Sequence, residues 1–71
     1  MSDKRHRFEK VATKRIDKIL HTLDLLGNCS NTYNYEYTEQ DVAKIFKTLN
    51  TKLNEIKGLY NHKLNNQKFK L

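Results

Sequence analysis

The 71-residue sequence has no proline or tryptophan, two glycines and one cysteine. The absence of proline removes the strongest helix breaker. The single cysteine, Cys29, excludes an internal disulfide and suits a reducing cytoplasm. No apolar run is longer than two residues, so the sequence predicts no transmembrane helix and no membrane partner. A chain this short buries little surface alone, which favours oligomerisation or partner binding.

Charge is unevenly distributed along the chain. Residues 1–20 carry seven Lys or Arg against three acidic residues, a net charge of +4. Residues 21–40 carry three acidic residues and no Lys or Arg, a net charge of −3. Residues 41–71 carry seven Lys against two acidic residues, a net charge of +5. The basic surplus favours polyanions such as DNA or RNA, and the codon bias of an AT-rich genome is the alternative explanation.

Apolar residues follow helical periodicity in two segments. The first is predicted to be a helix over residues 4–26, stopped by Gly27 in the left-handed conformation. Its apolar stripe consists of Phe8, Ala12, Ile16, Ile19, Leu23 and Leu26. The second helix is predicted over residues 39–64, and its apolar stripe consists of Val42, Ile45, Phe46, Leu49, Leu53, Ile56, Tyr60 and Leu64. Residues 65–71 have no cap and are predicted to fray.

The start of the second helix has the clearest local signal. Thr38 is the predicted N-cap, because Asp41 follows at capping-box spacing and acidic residues fill the first turn. Tyr37 and Val42 flank this cap with the spacing of a hydrophobic staple.

The two segments together predict an all-α fold. Residues 27–37 form a connector of about ten residues, and helices joined in this way most simply fold back into an antiparallel two-helix hairpin. The whole chain, residues 1–71, is then one domain. One contact between two helices leaves part of each stripe uncovered. We therefore expect the hairpin to form a homodimer, a four-helix bundle, or to bind a larger protein partner.

Three tyrosines alternate with polar residues in the connector: Tyr33, Tyr35 and Tyr37. One interpretation is a platform on which nucleic-acid bases stack, which requires basic neighbours. The other is a plug, in which the rings cover the end of the two-helix core and the hydroxyls stay in water. Glu36 and Glu39 make the local charge negative and would repel phosphates. We favour the plug, with Tyr37 as the staple residue.

Two groups of side chains are candidates for binding. The first helix carries a basic face opposite its apolar stripe, and its candidate nucleic-acid-binding residues are Arg7, Lys10, Lys14 and Lys18. An ordinary solvated face is the alternative. Arg15 instead falls within the angle of the apolar stripe, where it either extends its charge past the stripe edge or pairs with a partner molecule. The candidate partner-binding residues are Arg15, Phe8 and Tyr60.

The sequence has no recognisable catalytic arrangement. His6, His21 and His62 lack metal-ligand spacing, and Cys29 has no nearby CxxC or histidine companion. No nucleophile–base pair and no glycine-rich phosphate loop is present. We therefore expect no enzyme activity, catalytic residue, cofactor, metal site or small-molecule substrate.

The pattern RFEKVATKR…I..IL.TL.LLGNCSN..NYEYT..DV.KIF..L...L, which covers residues 7 to about 60, supports a resemblance. It is similar to small, uncharacterised helical proteins of plasmids, prophages and conjugative elements in low-GC Gram-positive bacteria. The resemblance implies a mobile genetic element and a cytoplasmic location, and it transfers no site residue. The two-helix outline also looks like plasmid RNA-binding hairpins of the Rop type, by analogy of architecture alone.

Two functions remain open at this point. The first is a non-catalytic protein-interaction or accessory module of a mobile element, which modulates a nucleic-acid-handling enzyme. The second is a basic regulatory protein that binds DNA or RNA with weak sequence specificity. The connector is too long for the tight turn of a helix-turn-helix motif, so sequence-specific recognition of that kind is not expected.

Overall fold

The structure, a computed structural model, describes the backbone of residues 2–68 and the side chains of residues 2–65. Within residues 2–68 it contains two α-helices and no strand. Helix α1 comprises Asp3–Asn28, and helix α2 comprises Glu39–Lys68. The prediction of an all-α chain with two helices is confirmed. The chain divides into two compact units, Met1–Glu36 and Tyr37–Leu71, one for each helix.

Helix α1 begins at a serine cap that the sequence analysis did not identify. Ser2 has extended backbone angles, φ −78° and ψ 153°, and its hydroxyl accepts a hydrogen bond from the Arg5 backbone N–H at 3.2 Å. The Ser2 carbonyl accepts a further hydrogen bond from the backbone N–H of His6, also at 3.2 Å. Asp3 lies in the first turn, where a carboxylate meets the positive end of the helix dipole. The Ser-Asp pair ahead of a basic segment was the signal for this cap.

Helix α1 ends two residues later than predicted and by a different mechanism. Gly27 lies inside the helix, and neither it nor any other described residue has a positive φ. The prediction of a left-handed stop at Gly27 is therefore wrong. The backbone N–H of Cys29 donates to the Leu26 carbonyl at 3.0 Å, and that of Ser30 donates to the Gly27 carbonyl at 3.1 Å. These tight-turn hydrogen bonds satisfy carbonyls at the end of the helix without a left-handed residue.

Helix α2 begins as the sequence predicts. The Asp41 backbone N–H donates to Thr38 Oγ1 at 3.1 Å, and the Thr38 backbone N–H donates to Asp41 Oδ2 at 2.9 Å. This reciprocal pair confirms the capping box, with Asp in the place usually taken by Glu. The staple between Tyr37 and Val42 stays a prediction. The helix continues to Lys68, four residues beyond its predicted end, and the remainder of the predicted frayed tail, residues 69–71, lies outside the described residues.

Side-chain burial is low throughout the described chain. No residue among those whose side chains are described is buried, and three are half-buried: Ala12, Val42 and Leu49. All three belong to the predicted apolar stripes. Each unit is consequently held together by hydrogen bonds within its helix and by local caps. Helices in proteins generally owe most of their stability to packing of an amphipathic face. Burial of the two apolar stripes would therefore stabilise both helices further.

We predict that Thr38→Ala destabilises α2 by about 1 kcal/mol, because it removes the side-chain acceptor of the capping box. The measurement is thermal unfolding followed by circular dichroism. The matched control is Thr48→Ala within the same helix, where the hydroxyl donates only to the Lys44 carbonyl at 2.8 Å. The control is expected to leave the melting temperature unchanged or to raise it, since alanine favours helix more than threonine. Equal losses in both variants would contradict the role of the cap.

We predict that Gly27→Ala stabilises α1 by roughly 0.5–1 kcal/mol, because alanine has the higher helix propensity. A Cβ atom at Gly27 would meet no atom within 4 Å, and the backbone conformation there is one that alanine adopts. Gly58→Ala in α2, where a Cβ atom also has open space, provides the comparison. If Gly27→Ala lowers the melting temperature and Gly58→Ala does not, the result would contradict a helical Gly27 and favour the left-handed conformation.

Candidate interaction surfaces

Most of the apolar stripe of α1 is exposed, and Ala12 is its half-buried member. Its large side chains retain between 37% and 54% of their accessible surface, namely Phe8, Ile16, Ile19, Leu23 and Leu26. Val11 and Leu20 widen the stripe at its two edges, with 40% and 54% exposure. Large exposed apolar patches are uncommon on monomeric proteins and are a feature of contact surfaces.

The apolar stripe of α2 has the same character. Its exposed members retain between 37% and 59% of their surface: Ile45, Phe46, Leu53, Ile56, Tyr60 and Leu64. Tyr60, a candidate partner-binding residue, lies within this set at 52% exposure. The structure therefore places Phe8 and Tyr60 on the apolar surfaces of their respective helices.

Arg5, which was not identified from the sequence, makes two contacts near the start of the α1 stripe. Its Nε lies 2.9 Å from Glu9 Oε1, an ion pair at i,i+4 spacing. The same guanidinium lies 5.8 Å from the centroid of the Phe8 ring, within cation–π range. Both interactions are solvent-exposed, so each contributes only a few tenths of a kcal/mol to about 1 kcal/mol. The signal available in the sequence was the spacing of three and four residues from Arg5 to Phe8 and Glu9.

The basic face of α1 consists of Arg7, Lys10, Lys14 and Lys18, all of which are exposed. They share one uninterrupted helix, so Arg7 and Lys18 are about 16 Å apart along its axis. The ion pairs among the described residues are Arg5–Glu9 and Lys52–Glu55. Neither pair uses a cation of the basic face. A contact between these four cations and a phosphate would therefore not have to break an ion pair of the described residues.

Arg15 is exposed, and its guanidinium belongs to neither ion pair of the described chain. Its exposure agrees with a side chain that extends past the stripe edge. It also agrees with a cation that meets a carboxylate only when a partner arrives, so both predictions for Arg15 stand.

The connector tyrosines differ from one another in exposure. Tyr33 is 94% exposed, whereas Tyr35 and Tyr37 are 52% and 40% exposed. The plug prediction is therefore wrong for Tyr33. The physical reason is the local turn: the Asn31 side-chain oxygen accepts a hydrogen bond from the Tyr33 backbone N–H at 2.9 Å, and the Asn31 carbonyl accepts one from the Tyr35 N–H at 3.0 Å. Tyr33 lies at the outside of that turn.

Two leucines lie on the polar sides of the helices and were not identified from the sequence. Leu25 follows Lys18 by seven residues, about two helical turns, and extends the line of the basic face with 51% exposure. Leu59 bears the same relation to Lys52 and is 66% exposed. Single exposed leucines are common on protein surfaces, so neither changes the assignment of the two stripes.

The polar chemistry of α2 is limited to its surface. Lys52 Nζ lies 2.8 Å from Glu55 Oε2, and this hydrogen bond together with the carboxylate charge raises the pKa of Lys52. A lysine is already protonated at neutral pH, and the higher pKa favours that form further, so Lys52 is not a reactive amine. Among the described residues no three His, Cys, Asp or Glu side chains come together as metal ligands. Neither helix, over its described residues, has an apolar stretch that would cross a bilayer.

Comparison with known proteins does not identify a relative: no family model, curated protein or solved structure matches this chain. The resemblance to small proteins of mobile genetic elements therefore stays a prediction. The assignment of function consequently depends on the surfaces of the two helices.

Proposed function

We propose that this chain is a non-catalytic protein-interaction module, an accessory protein of a mobile genetic element that acts in the cytoplasm. Its two helices form an antiparallel hairpin, which dimerises into a four-helix bundle or docks on a larger protein. The observation that carries the proposal is the exposure of most large side chains in both apolar stripes. In the proposed assembly the stripes become the core, and modulation of a nucleic-acid-handling enzyme follows from contact with it.

The energetics favour an assembly that uses both stripes. Complete burial of a large aliphatic or aromatic side chain contributes about 1.5–3 kcal/mol. Side chains that are half exposed therefore have roughly 1 kcal/mol each still to gain. The five large side chains of the α1 stripe would contribute about 5 kcal/mol, close to the lower limit of the entropic cost of association. Adding the six of α2 brings the gain to about 11 kcal/mol, which is well above that lower limit.

The test is capture of partners by the immobilised chain from a lysate of a low-GC Gram-positive bacterium, with and without nuclease treatment. We expect specific proteins to remain bound after nuclease treatment. We also expect Ile19→Lys to abolish this capture, because a lysine in the stripe would place a charge in the contact. The double variant Lys10→Glu/Lys14→Glu is the matched control and should retain the captured proteins. Circular dichroism is used to check that both variants are as helical as the native chain.

Loss of every captured protein after nuclease treatment would contradict the interaction module. So would equal capture by Ile19→Lys and by the native chain, since the stripes would then have no role in binding.

A second function is favoured by one specific observation, namely that the cations of the basic face take no part in the ion pairs of the described chain. In this alternative the protein is a basic regulator that contacts the phosphates of DNA or RNA through Arg7, Lys10, Lys14 and Lys18. Such contacts position a protein without reading sequence. The acidic surroundings of the connector would keep phosphates away from the tyrosines, so the binding surface would be α1 alone.

For this alternative we predict weak, sequence-tolerant binding that is steeply salt-dependent, because each neutralised phosphate releases counterions. Lys10→Glu/Lys14→Glu should weaken binding to unrelated duplexes by a similar factor and reduce the salt slope by about 2, roughly one per lost phosphate contact. Fluorescence anisotropy over a range of salt concentrations provides the measurement. The control is Lys44→Glu/Lys47→Glu on α2, which should leave the slope nearly unchanged. Identical slopes for the native chain and the α1 variant would show that the basic face is only a solvated surface.

A further inference from the structure

We infer that His21 is a further member of the basic face of α1 and makes the contact of this face with phosphates depend on pH. The inference rests on the second function proposed above, binding of DNA or RNA. It adds one binding residue to that function and a form of regulation. Two observations carry it: the position of His21 on the surface of the helix, and the charges that surround it.

His21 continues the line of the basic face towards the C-terminal end of α1. Arg7, Lys14 and His21 follow one another at steps of seven residues, each about two helical turns or about 10.5 Å. At about 100° per residue, His21 lies about 25° from the mean direction of the four side chains of the basic face. It is exposed and belongs to neither ion pair of the described residues. A cation at this position would lengthen the basic face from about 16 Å to about 21 Å.

The other two histidines do not share this position. His6 lies about 85° from the mean direction of the basic face. It directly precedes Arg7 in the sequence, so its charge would not lengthen the face. His62 belongs to α2. His21 is therefore the histidine whose charge changes the extent of the basic face.

The charges around His21 make its own charge important at this end of the face. The acidic residues of α1 are Asp3, Glu9, Asp17 and Asp24. The first two lie more than about three turns before His21. Asp17 and Lys18 precede His21 by four and three residues, and Asp24 follows it by three, so these are its charged neighbours on the helix surface. Beyond Lys18, a neutral His21 leaves only the charge of Asp24 on α1, which repels phosphate, whereas a protonated His21 offsets that charge and adds a donor.

The direction of the pH dependence follows from the chemistry of histidine, whose charge ordinarily changes between about pH 5 and about pH 8. A neighbouring phosphate favours the protonated form, and the protonated form binds phosphate more strongly. Binding of a polyanion therefore takes up a proton, and the affinity rises as the pH falls through this range. One added phosphate contact changes the salt slope by about 0.9, which corresponds to less than about tenfold in affinity at about 0.1 M salt.

The test is fluorescence anisotropy with a DNA duplex over a range of salt concentrations, at about pH 8 and at about pH 5.5, where carboxylates generally keep their charge. We expect the native chain to bind a few-fold more tightly at the lower pH, with a salt slope steeper by about 1. His21→Gln should lose both changes. The matched controls, His6→Gln on α1 and His62→Gln on α2, should retain them.

His21→Lys provides a charge at this position that does not depend on pH over the same range. We expect this variant to show, at about pH 8, the salt slope that the native chain shows at about pH 5.5, and to respond little to pH. Glutamine and lysine are both good helix formers, so the variants should keep α1. Circular dichroism is used to check this.

The outcomes separate the role of His21 from nucleic-acid binding itself. Salt-dependent binding that is the same at both pH values would overturn the inference, while the second function stands. A pH response in His21→Gln equal to that of the native chain would also overturn it, because another group would then be responsible. Absence of binding at both pH values would overturn the inference together with the second function.

Discussion

Coverage of the two apolar stripes is the constraint on which the rest of this structure depends. Each helix satisfies its backbone hydrogen bonds internally, and each begins at a well-formed cap. Those interactions are local, and they are marginal for a helix in water unless an amphipathic face is also packed. The large side chains of both stripes remain about half exposed. Their burial is the largest stabilisation still available to the chain, and it requires contact between apolar surfaces.

Charge determines which contacts are favourable. The acidic segment around the connector repels phosphates and the basic face of α1 attracts them, so a polyanion and the connector tyrosines are not expected to meet. The proposed interaction with protein and the alternative affinity for nucleic acid would therefore use different sides of one helix. A module that contacts an enzyme through its stripes would keep its basic face available for the nucleic acid on which that enzyme acts.

The candidate residues show where sequence reasoning succeeded and where it did not. Apolar periodicity placed Phe8 and Tyr60 correctly on exposed apolar surfaces, because side-chain direction in a helix follows directly from residue number. The basic face was found for the same reason. Arg5 was missed, since its contacts with Glu9 and Phe8 depend on a rotamer rather than on periodicity. Tyr33 was placed wrongly, since its exposure depends on a turn built by the Asn31 side chain.

The sequence by itself determined the two helices, their apolar and basic faces, and the Thr38 capping box. Each of these depends on residue type at a spacing of three to four residues, which the regular geometry of a helix converts into position. The three-dimensional structure alone decided how α1 ends, how exposed the connector tyrosines are, and which cations enter ion pairs. At the end of α1, turn hydrogen bonds from Cys29 and Ser30 took the place of a left-handed Gly27. Such choices lie between backbone conformations that differ by about 1 kcal/mol, and hydrogen-bond geometry, not the pattern of residues, selects among them.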